Sequence, residues 1–197
     1  MTLGTEGMDL VFRMARSHSA WQAKPVGDER LRELYDLMKW APTSMNIGPA
    51  RILFLRSRES KERLKPALSP GNVDKTMAAP VTAIIGYDTQ FYELLPKLFL
   101  QNPNARANFA GEDKKAAAET TAFRNGSMQG GYFILAARAI GLDCGPMSGF
   151  KNAKVDAEFF HGTAIKSNFL CNLGYGDASK VAPRNPRLAF DEACKLL

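Results

Sequence analysis

Cysteine and histidine are scarce in this sequence of 197 residues. There are three cysteines, Cys144, Cys171 and Cys194, and two histidines, His18 and His161. The odd cysteine count and the lack of a Cys-x-x-Cys pair argue against a disulfide framework, and so few thiols and imidazoles argue against a zinc site. Free thiols are typical of a reducing compartment, so we expect a cytoplasmic protein.

The chain also lacks a long apolar run. No stretch approaches the roughly 20 residues of a membrane-spanning helix, and the N-terminus lacks the basic and apolar regions of a signal peptide. We therefore expect no membrane partner. Lys and Arg number 26 against 20 Asp and Glu, for a formal net charge of +6. Because these cations are scattered and do not alternate with aromatic residues, we expect no nucleic-acid partner.

Several catalytic motifs are missing. The stretch Gly174-Tyr175-Gly176 is followed by Ser179 where the third glycine of a dinucleotide fingerprint would stand. There is also no P-loop, no H-E-x-x-H and no G-x-S-x-G. These absences argue against P-loop nucleotide hydrolysis, zinc proteolysis and serine hydrolysis, and they leave no residue assigned as a nucleophile.

Hydrophobic periodicity predicts more helix than strand. Helices are predicted at residues 9–16, 28–40, 59–68, 73–78, 114–140 and 152–160, and strands at residues 52–55, 81–87 and 168–173. The strand at 81–87 is apolar throughout, which places it in the centre of the sheet. Tight turns are predicted at 69–72 and 144–150, and a mobile segment that could act as a lid at 101–113. The pattern favours a single α+β domain over residues 1–197.

Small polar side chains are concentrated in the turn after the second predicted helix. Pro42 ends that helix, and Pro49 keeps the residue before it out of the helical region. Between them, Thr43, Ser44 and Asn46 can cap the helix end or form hydrogen bonds to an imide-like ligand edge. An ordinary helix-to-strand loop is the alternative interpretation.

Cations stand at several other turns. Arg16 stands at the end of the first predicted helix, next to Ser17 and His18, where it can hold a phosphate or complement the helix dipole. Comparable cations lie beside other turns of small polar residues. The full set is Arg16, Lys75, Arg184 and Arg187. Such a set suits a flat cofactor that has a phosphate and polar edges.

Three stretches resemble the FMN-dependent nitroreductase family in their order and spacing. They are residues 41–51, 145–150 and 183–187. The resemblance extends over essentially the whole chain, and within the family it is closest to the malonic semialdehyde reductases of pyrimidine utilisation. Runs similar to that branch stand at residues 37–40, 123–125, 145–150 and 174–177. The resemblance implies a mixed, mainly antiparallel sheet flanked by helices, in an intertwined homodimer with FMN at the subunit interface.

The resemblance also implies the residues that bind FMN. They are Arg16, Ser17 and His18 with Arg184 or Arg187 at the phosphate; Asn72 and Lys75 at the pyrimidine edge; Ser148 and Gly149 against the ring; and Pro42, Thr43, Ser44 and Asn46 from the partner subunit. Many family members have Glu where Ser148 stands and a further cation where Ala20 stands. No side chain is assigned a catalytic role, because flavin N5 transfers the hydride, and no metal is implied.

The implied activity is an NAD(P)H-dependent oxidoreductase with a small-molecule substrate. NADH or NADPH would supply the hydride, and malonic semialdehyde would be reduced to 3-hydroxypropionate. Nitroaromatic compounds and quinones are alternative acceptors. A flavin-binding protein without reductase turnover and a basic interaction protein without a cofactor are the other hypotheses.

Overall fold

Residues 2–197, the part of the chain that the computed structural model describes, form four strands and eight α-helices; Met1, the first residue of the predicted domain, lies outside them. The strands are β1 (Ala50–Leu55), β2 (Val81–Asp88), β3 (Asp143–Met147) and β4 (Ile165–Gly174). The helices are α1 (Thr5–Met8), α2 (Asp28–Met38), α3 (Arg58–Leu64), α4 (Pro70–Ala78), α5 (Leu95–Leu98), α6 (Lys115–Ala139), α7 (Asn152–Phe159) and α8 (Phe190–Ala193).

The strands form one sheet in the order β1-β2-β4-β3, with every neighbouring pair antiparallel. The interior strand β2 is mostly apolar and is buried from Val81 to Tyr87, because both of its faces are covered. Ala83 and Ile85 pack in a cluster with residues of α2 and α6, while Ile84 packs with residues of α3 and α7. The predicted antiparallel α+β fold and the central position of β2 are confirmed. Strands β1 and β3 form the two opposite edges of the sheet.

Helix α6 confirms the longest predicted helix and is only partly buried. Phe133 on its inner face is 0% exposed. Elsewhere on the helix, however, Phe123, Met128 and Tyr132 are between 42% and 47% exposed. The apolar composition predicted burial on most faces of the second half, and within one chain Met128 and Tyr132 in that half remain in contact with solvent.

Strand β3 corrects the prediction of a tight turn at residues 144–150. Residues 143–147 pair with Leu170 to Gly174 of β4 along the sheet edge. Pro146 has no N–H group to donate, and an edge strand tolerates proline because one side of its backbone needs no partner. The Gly-Pro and Ser-Gly pairs dominated the sequence pattern, whereas pairing with β4 decides the conformation.

Two helix boundaries also differ from the prediction. Helix α4 begins at Pro70, within the turn predicted at 69–72, because proline fits the first turn of a helix. The first helix continues from α1 as a π-helical turn, Asp9–Arg13, and ends there. Arg16 therefore lies beyond the helix, where the chain leaves to pair with β3.

The segment at residues 101–113 contains short 3-10 turns rather than a helix or strand. Phe109 packs against Phe91, with their ring centroids 5.0 Å apart, and Arg106 forms an ion pair with Glu93. Mobility of this segment stays a prediction. In the part of the chain from residue 2 onward, every helix is too short or too polar to cross a membrane.

Candidate functional site

The segment after the first helix is attached to the edge strand β3. Ser17 forms a parallel β-bridge with Cys144, and the His18 N–H donates to the Cys144 carbonyl oxygen over 2.9 Å. Gly145 permits this approach, because a Cβ atom there would lie 2.4 Å from the His18 carbonyl oxygen. The backbone contact thereby fixes Arg16, Ser17 and His18 along β3.

Two of the predicted cations meet next to this segment. The Arg16 guanidinium donates to the Ala182 carbonyl, and the Arg184 guanidinium donates to the carbonyls of Arg13 and Ala15 over 2.8 and 2.9 Å. Within residues 2–197, neither guanidinium has a carboxylate within 4 Å. Two cations that link the same two segments and have only carbonyl partners form a positive locus that suits an anion.

Arg187, the alternative tail cation, is oriented differently. Its guanidinium donates to the carbonyls of Asn185 and Pro186, over 2.9 and 3.2 Å, within its own stretch of the tail. The structure therefore brings Arg184, and not Arg187, into contact with the segment that contains Arg16.

The N-terminal part of α4 contacts the turn after β3. The Asn72 side-chain amide donates to the Gly149 carbonyl over 2.7 Å, and the Ser69 N–H donates to the same oxygen over 3.0 Å. A Cβ atom at Gly149 would lie 2.5 Å from the Asn72 amide nitrogen. Asn72, Ser148 and Gly149 thus belong to one local cluster, and glycine at position 149 makes room for the Asn72 amide.

Lys75 lies one turn further along α4 and is half-buried. Its carbonyl accepts hydrogen bonds from the Trp21 indole over 3.4 Å and from the Asn172 amide over 3.2 Å, which anchor its backbone. Its ammonium group has no hydrogen-bond acceptor among residues 2–197. A half-buried ammonium with free donors is available to a ligand.

The His18 imidazole faces the protein. Its Nε2 atom lies 3.3 Å from an Asp143 carboxylate oxygen, and its buried Nδ1 atom has no hydrogen-bond partner among the described residues. A Cβ atom at Gly176 would overlap this ring, at 2.0 Å from Nδ1. The side chain therefore packs between β3 and the end of β4, while its backbone N–H holds the strand.

The turn at Pro42 lies beside the opposite sheet edge, next to β1. Ser44 N–H donates to the Asn125 side-chain oxygen over 2.9 Å, and the Asn46 amide donates to the Leu98 carbonyl over 2.9 Å. The Thr43 hydroxyl accepts from the Gly48 N–H over 3.2 Å. Within one chain, these residues are separated from the cluster at β3 by the width of the sheet.

The backbone of this turn is strained. Met45 and Asn46 have φ angles of 50° and 53°, and neither is glycine. Left-handed conformations of this kind persist only where the surroundings hold them and are frequent at functional sites. Buried amides on α6 provide this support, since Asn125 binds Ser44 and Gln129 accepts from the Ala50 N–H over 2.9 Å.

Four residues support the site but were not predicted to do so from sequence patterns: Asn125, Gln129, Trp21 and Asn172. The first two could have been found, because two amides four residues apart in the middle of a helix lie on one face, and both are buried here. Trp21 and Asn172 could not, since their common partner Lys75 is distant from both in the sequence.

Two of the cysteines are core residues. Cys144 and Cys171 are both 0% exposed. The pKa of Cys171 is raised well above its usual value. The main cause is a hydrogen bond with the Cys144 thiol, and burial is the second cause. A thiol that resists ionisation is a poor nucleophile, so Cys171 acts as a packing group. In the described residues, no group of three or more His, Cys, Asp or Glu side chains could hold a metal ion.

Comparison with known proteins decides the family. Residues 13–175 match the nitroreductase family. The chain belongs to the nitroreductase family. This match includes the segment at Arg16, the turn at Pro42, all of α4 and the turn after β3, but not the tail with Arg184.

Full-length relatives extend the likeness of this nitroreductase-family chain to both ends. A Cupriavidus pinatubonensis protein, provisionally named an NADH dehydrogenase/NAD(P)H nitroreductase, is 61% identical over 191 residues, covering 97% of each chain. HadB of Ralstonia pickettii, with the same provisional name, is 59% identical over 192 residues, covering 98% of each.

Solved structures agree with the fold. A Bacillus subtilis nitroreductase, ydfN, superposes with a TM-score of 0.84 at 21% identity, over 98% of this chain and 99% of that one. A nitroreductase of Exiguobacterium sibiricum, solved in complex with FMN, superposes with a TM-score of 0.83 at 16% identity, over 100% and 99%. At such low identity, these likenesses establish the nitroreductase-like fold alone.

Proposed function

We propose that this chain is an NAD(P)H-dependent oxidoreductase that holds FMN along the β3 edge of its sheet. The observation that supports this most is the meeting of Arg16 and Arg184 next to β3, without a carboxylate partner. The cluster of Asn72, Gly149 and Lys75 lies along the same edge. Bound FMN supplies hydride transfer between NADH or NADPH and an acceptor.

The residues at this edge fit the chemical parts of FMN. Arg16 and Arg184 would bind the phosphate, because guanidinium groups match phosphate oxygens with paired donors. Asn72 and the free ammonium of Lys75 would bind the pyrimidine edge, where Lys75 favours added negative charge. Gly149 lets the Asn72 amide approach the turn after β3, because a Cβ atom there would lie 2.5 Å from the amide nitrogen.

The proposed enzyme is a homodimer, in which each FMN site has residues from both copies. The turn with Thr43, Ser44 and Asn46 lies at the sheet edge opposite β3, so a second copy would be needed to bring it to the FMN. The exposed apolar side chains of Met128 and Tyr132, four residues apart and therefore on one face of α6, support an interface there, since exposed apolar surface favours association.

For the substrate, we propose malonic semialdehyde, which would be reduced to 3-hydroxypropionate. The support is the likeness of residues 37–40, 123–125, 145–150 and 174–177 to that branch of the family. Nitroaromatic compounds and quinones are the second candidate, and the names of the relatives from Cupriavidus and Ralstonia favour them.

Absorbance and turnover measurements test this function. The purified full-length chain is expected to take up FMN, turn yellow and lose its flavin absorbance anaerobically on addition of NADH or NADPH. Steady-state kcat/KM is then compared among malonic semialdehyde, a quinone and a nitroarene. Failure to take up FMN would refute the proposal, and colour without bleaching would favour a flavin-binding protein without turnover. A higher kcat/KM for the quinone or nitroarene would reject the malonic semialdehyde assignment.

Replacing Arg16 with alanine is expected to weaken FMN binding about tenfold to a hundredfold. A hydrogen bond to a charged group contributes roughly 1.5–3 kcal/mol, which corresponds to this range. Quenching of flavin fluorescence gives the affinity. Arg184→Ala should have a similar effect, whereas Arg187→Ala should change the affinity by less than about threefold, since Arg187 bonds only within the tail.

Riboflavin separates phosphate binding from a structural role of Arg16, which also holds the tail at Ala182. Because riboflavin has no phosphate, its affinity should be nearly the same in the native chain and in Arg16→Ala. An equal loss of FMN and riboflavin affinity would show that the substitution acts through the structure of the segment.

A further inference from the structure

A second cavity lies between α3 and α4, on the face of α4 opposite the proposed FMN site. Its volume is about 580 Å³. Val73, Asp74 and Met77 line it. At 3.6 residues per turn, these three lie on the face of α4 opposite Asn72 and Lys75. The cavity is therefore separate from the residues assigned to FMN.

A buried cation stands in the wall of this cavity. Lys61 is only 4% exposed, and its ammonium donates to the Ala79 carbonyl. Among residues 2–197, no carboxylate oxygen lies within 4 Å of this ammonium. An ammonium group has three donors, and a buried charge without a counter-ion is costly. Burial accordingly lowers the pKa of Lys61.

The rest of the lining has more positive than negative groups. Arg56, Arg58 and Lys65 line the cavity with Lys61, against the carboxylates of Glu62 and Asp74. The Glu62 carboxylate contacts two cations: it lies 3.3 Å from the Lys65 ammonium and 3.9 Å from the Arg58 guanidinium. The Arg58 side chain is 90% exposed, so this longer contact leaves its donors largely free.

We infer that this cavity binds a small anion with a phosphate group, with Lys61 as the buried anchor and Arg58 at the rim. A phosphate dianion would pair with Lys61, which has no carboxylate within 4 Å among residues 2–197, and with the exposed Arg58, whose contact with Glu62 is 3.9 Å long. It would also provide acceptors for the free donors of Lys61. Val73 and Met77 offer an apolar wall that suits the organic part of a phosphate monoester. Inorganic phosphate and a phosphate monoester are the two sources of this chemistry.

Calorimetric titration of the full-length chain, loaded with FMN to occupy Arg16 and Arg184 and then freed of unbound FMN, tests the inference. The probes are inorganic phosphate and phenyl phosphate at constant ionic strength. We expect saturable binding of at least one probe with one site per chain. Tighter binding of phenyl phosphate would identify a monoester as the ligand class, and equal affinities would identify phosphate itself. Absence of saturable binding for both would overturn the inference.

Substitutions locate the binding. Lys61→Met keeps the length of the side chain without its charge and should weaken binding at least about tenfold, as expected for losing a charged hydrogen bond. Arg58→Gln, on the surface, should weaken it several-fold without affecting folding. Lys97→Met, an exposed lysine outside the cavity, is the matched control and should have no effect. Unchanged phosphate affinity in Lys61→Met would contradict the assignment. If Lys61→Met does not fold, unchanged phosphate affinity in Arg58→Gln would contradict it instead.

Discussion

Replacing Gly145 with alanine is expected to lower the free energy of unfolding by roughly 3 kcal/mol and to weaken FMN binding about a hundredfold or more. The added Cβ would lie 2.4 Å from the His18 carbonyl oxygen, which is backbone and cannot rotate away. Overpacking of this kind costs about 1–3 kcal/mol or more. The segment with Arg16 must then separate from β3, so the phosphate-binding guanidinium is displaced together with the backbone.

Thermal unfolding and FMN titration measure the two effects of Gly145→Ala. A loss of roughly 3 kcal/mol should lower Tm by about 6–12 °C for a chain of this length. Gly27→Ala is the matched control, because a Cβ atom at Gly27 meets nothing within 4 Å. Its effect should stay below about 1 kcal/mol, as for an ordinary helix N-cap position. Native stability with native FMN affinity in Gly145→Ala would show that the contact between the segment and β3 is not required.

Replacing Lys75 with methionine is expected to slow reduction of the bound flavin by NAD(P)H about a hundredfold. Methionine retains the apolar length of the side chain and removes the ammonium, which has no hydrogen-bond acceptor among residues 2–197. Removing a donor aimed at developing negative charge typically costs this much. The Lys75 carbonyl contacts with Trp21 and Asn172 do not involve the side chain, so folding should be preserved.

Anaerobic stopped-flow absorbance measures the reduction rate of Lys75→Met in FMN-saturated protein. Lys75→Arg should restore part of the rate, because it returns a positive charge. Lys115→Met removes an exposed lysine at the start of α6 and should leave the rate unchanged. A lower flavin reduction potential in Lys75→Met would accompany the electrostatic role, since the lost charge favours the reduced form. An unaltered rate and potential would exclude Lys75 from this function.

Local sequence patterns predicted the elements whose conformation depends on their own residues. Strand β2 is a mostly apolar run, and α6 is a long helical pattern, so both were predicted nearly to their ends. Strand β3 was missed because its conformation depends on pairing with β4, while its own Gly-Pro sequence favours a turn. Edge strands with proline are poorly visible to any local pattern.

The candidate site, like the fold, was predicted in part from the sequence and decided in part by folding. The amino-acid sequence, through its resemblance to the nitroreductase family, implied residues such as Arg16, Asn72 and Lys75. It left Arg184 and Arg187 as alternatives, because both are cations of the same tail. Folding brings Arg184 to the carbonyls of Arg13 and Ala15, while Arg187 turns back on its own tail. Proximity between Arg184 and Ala15, across 169 residues, is a property of the folded chain.

The sequence by itself determined the family, the antiparallel α+β fold and the chemical types of the candidate site residues, because motifs and periodicity are local properties. Tertiary structure alone decided that β3 is a strand and that the cluster at β3 and the turn at Pro42 occupy opposite sheet edges. It also decided that Lys61 is a buried cation beside a cavity. These features are burial, strand pairing and the lack of a counter-ion near Lys61 within residues 2–197. They depend on contacts between segments distant in the chain, so no local sequence pattern predicts them.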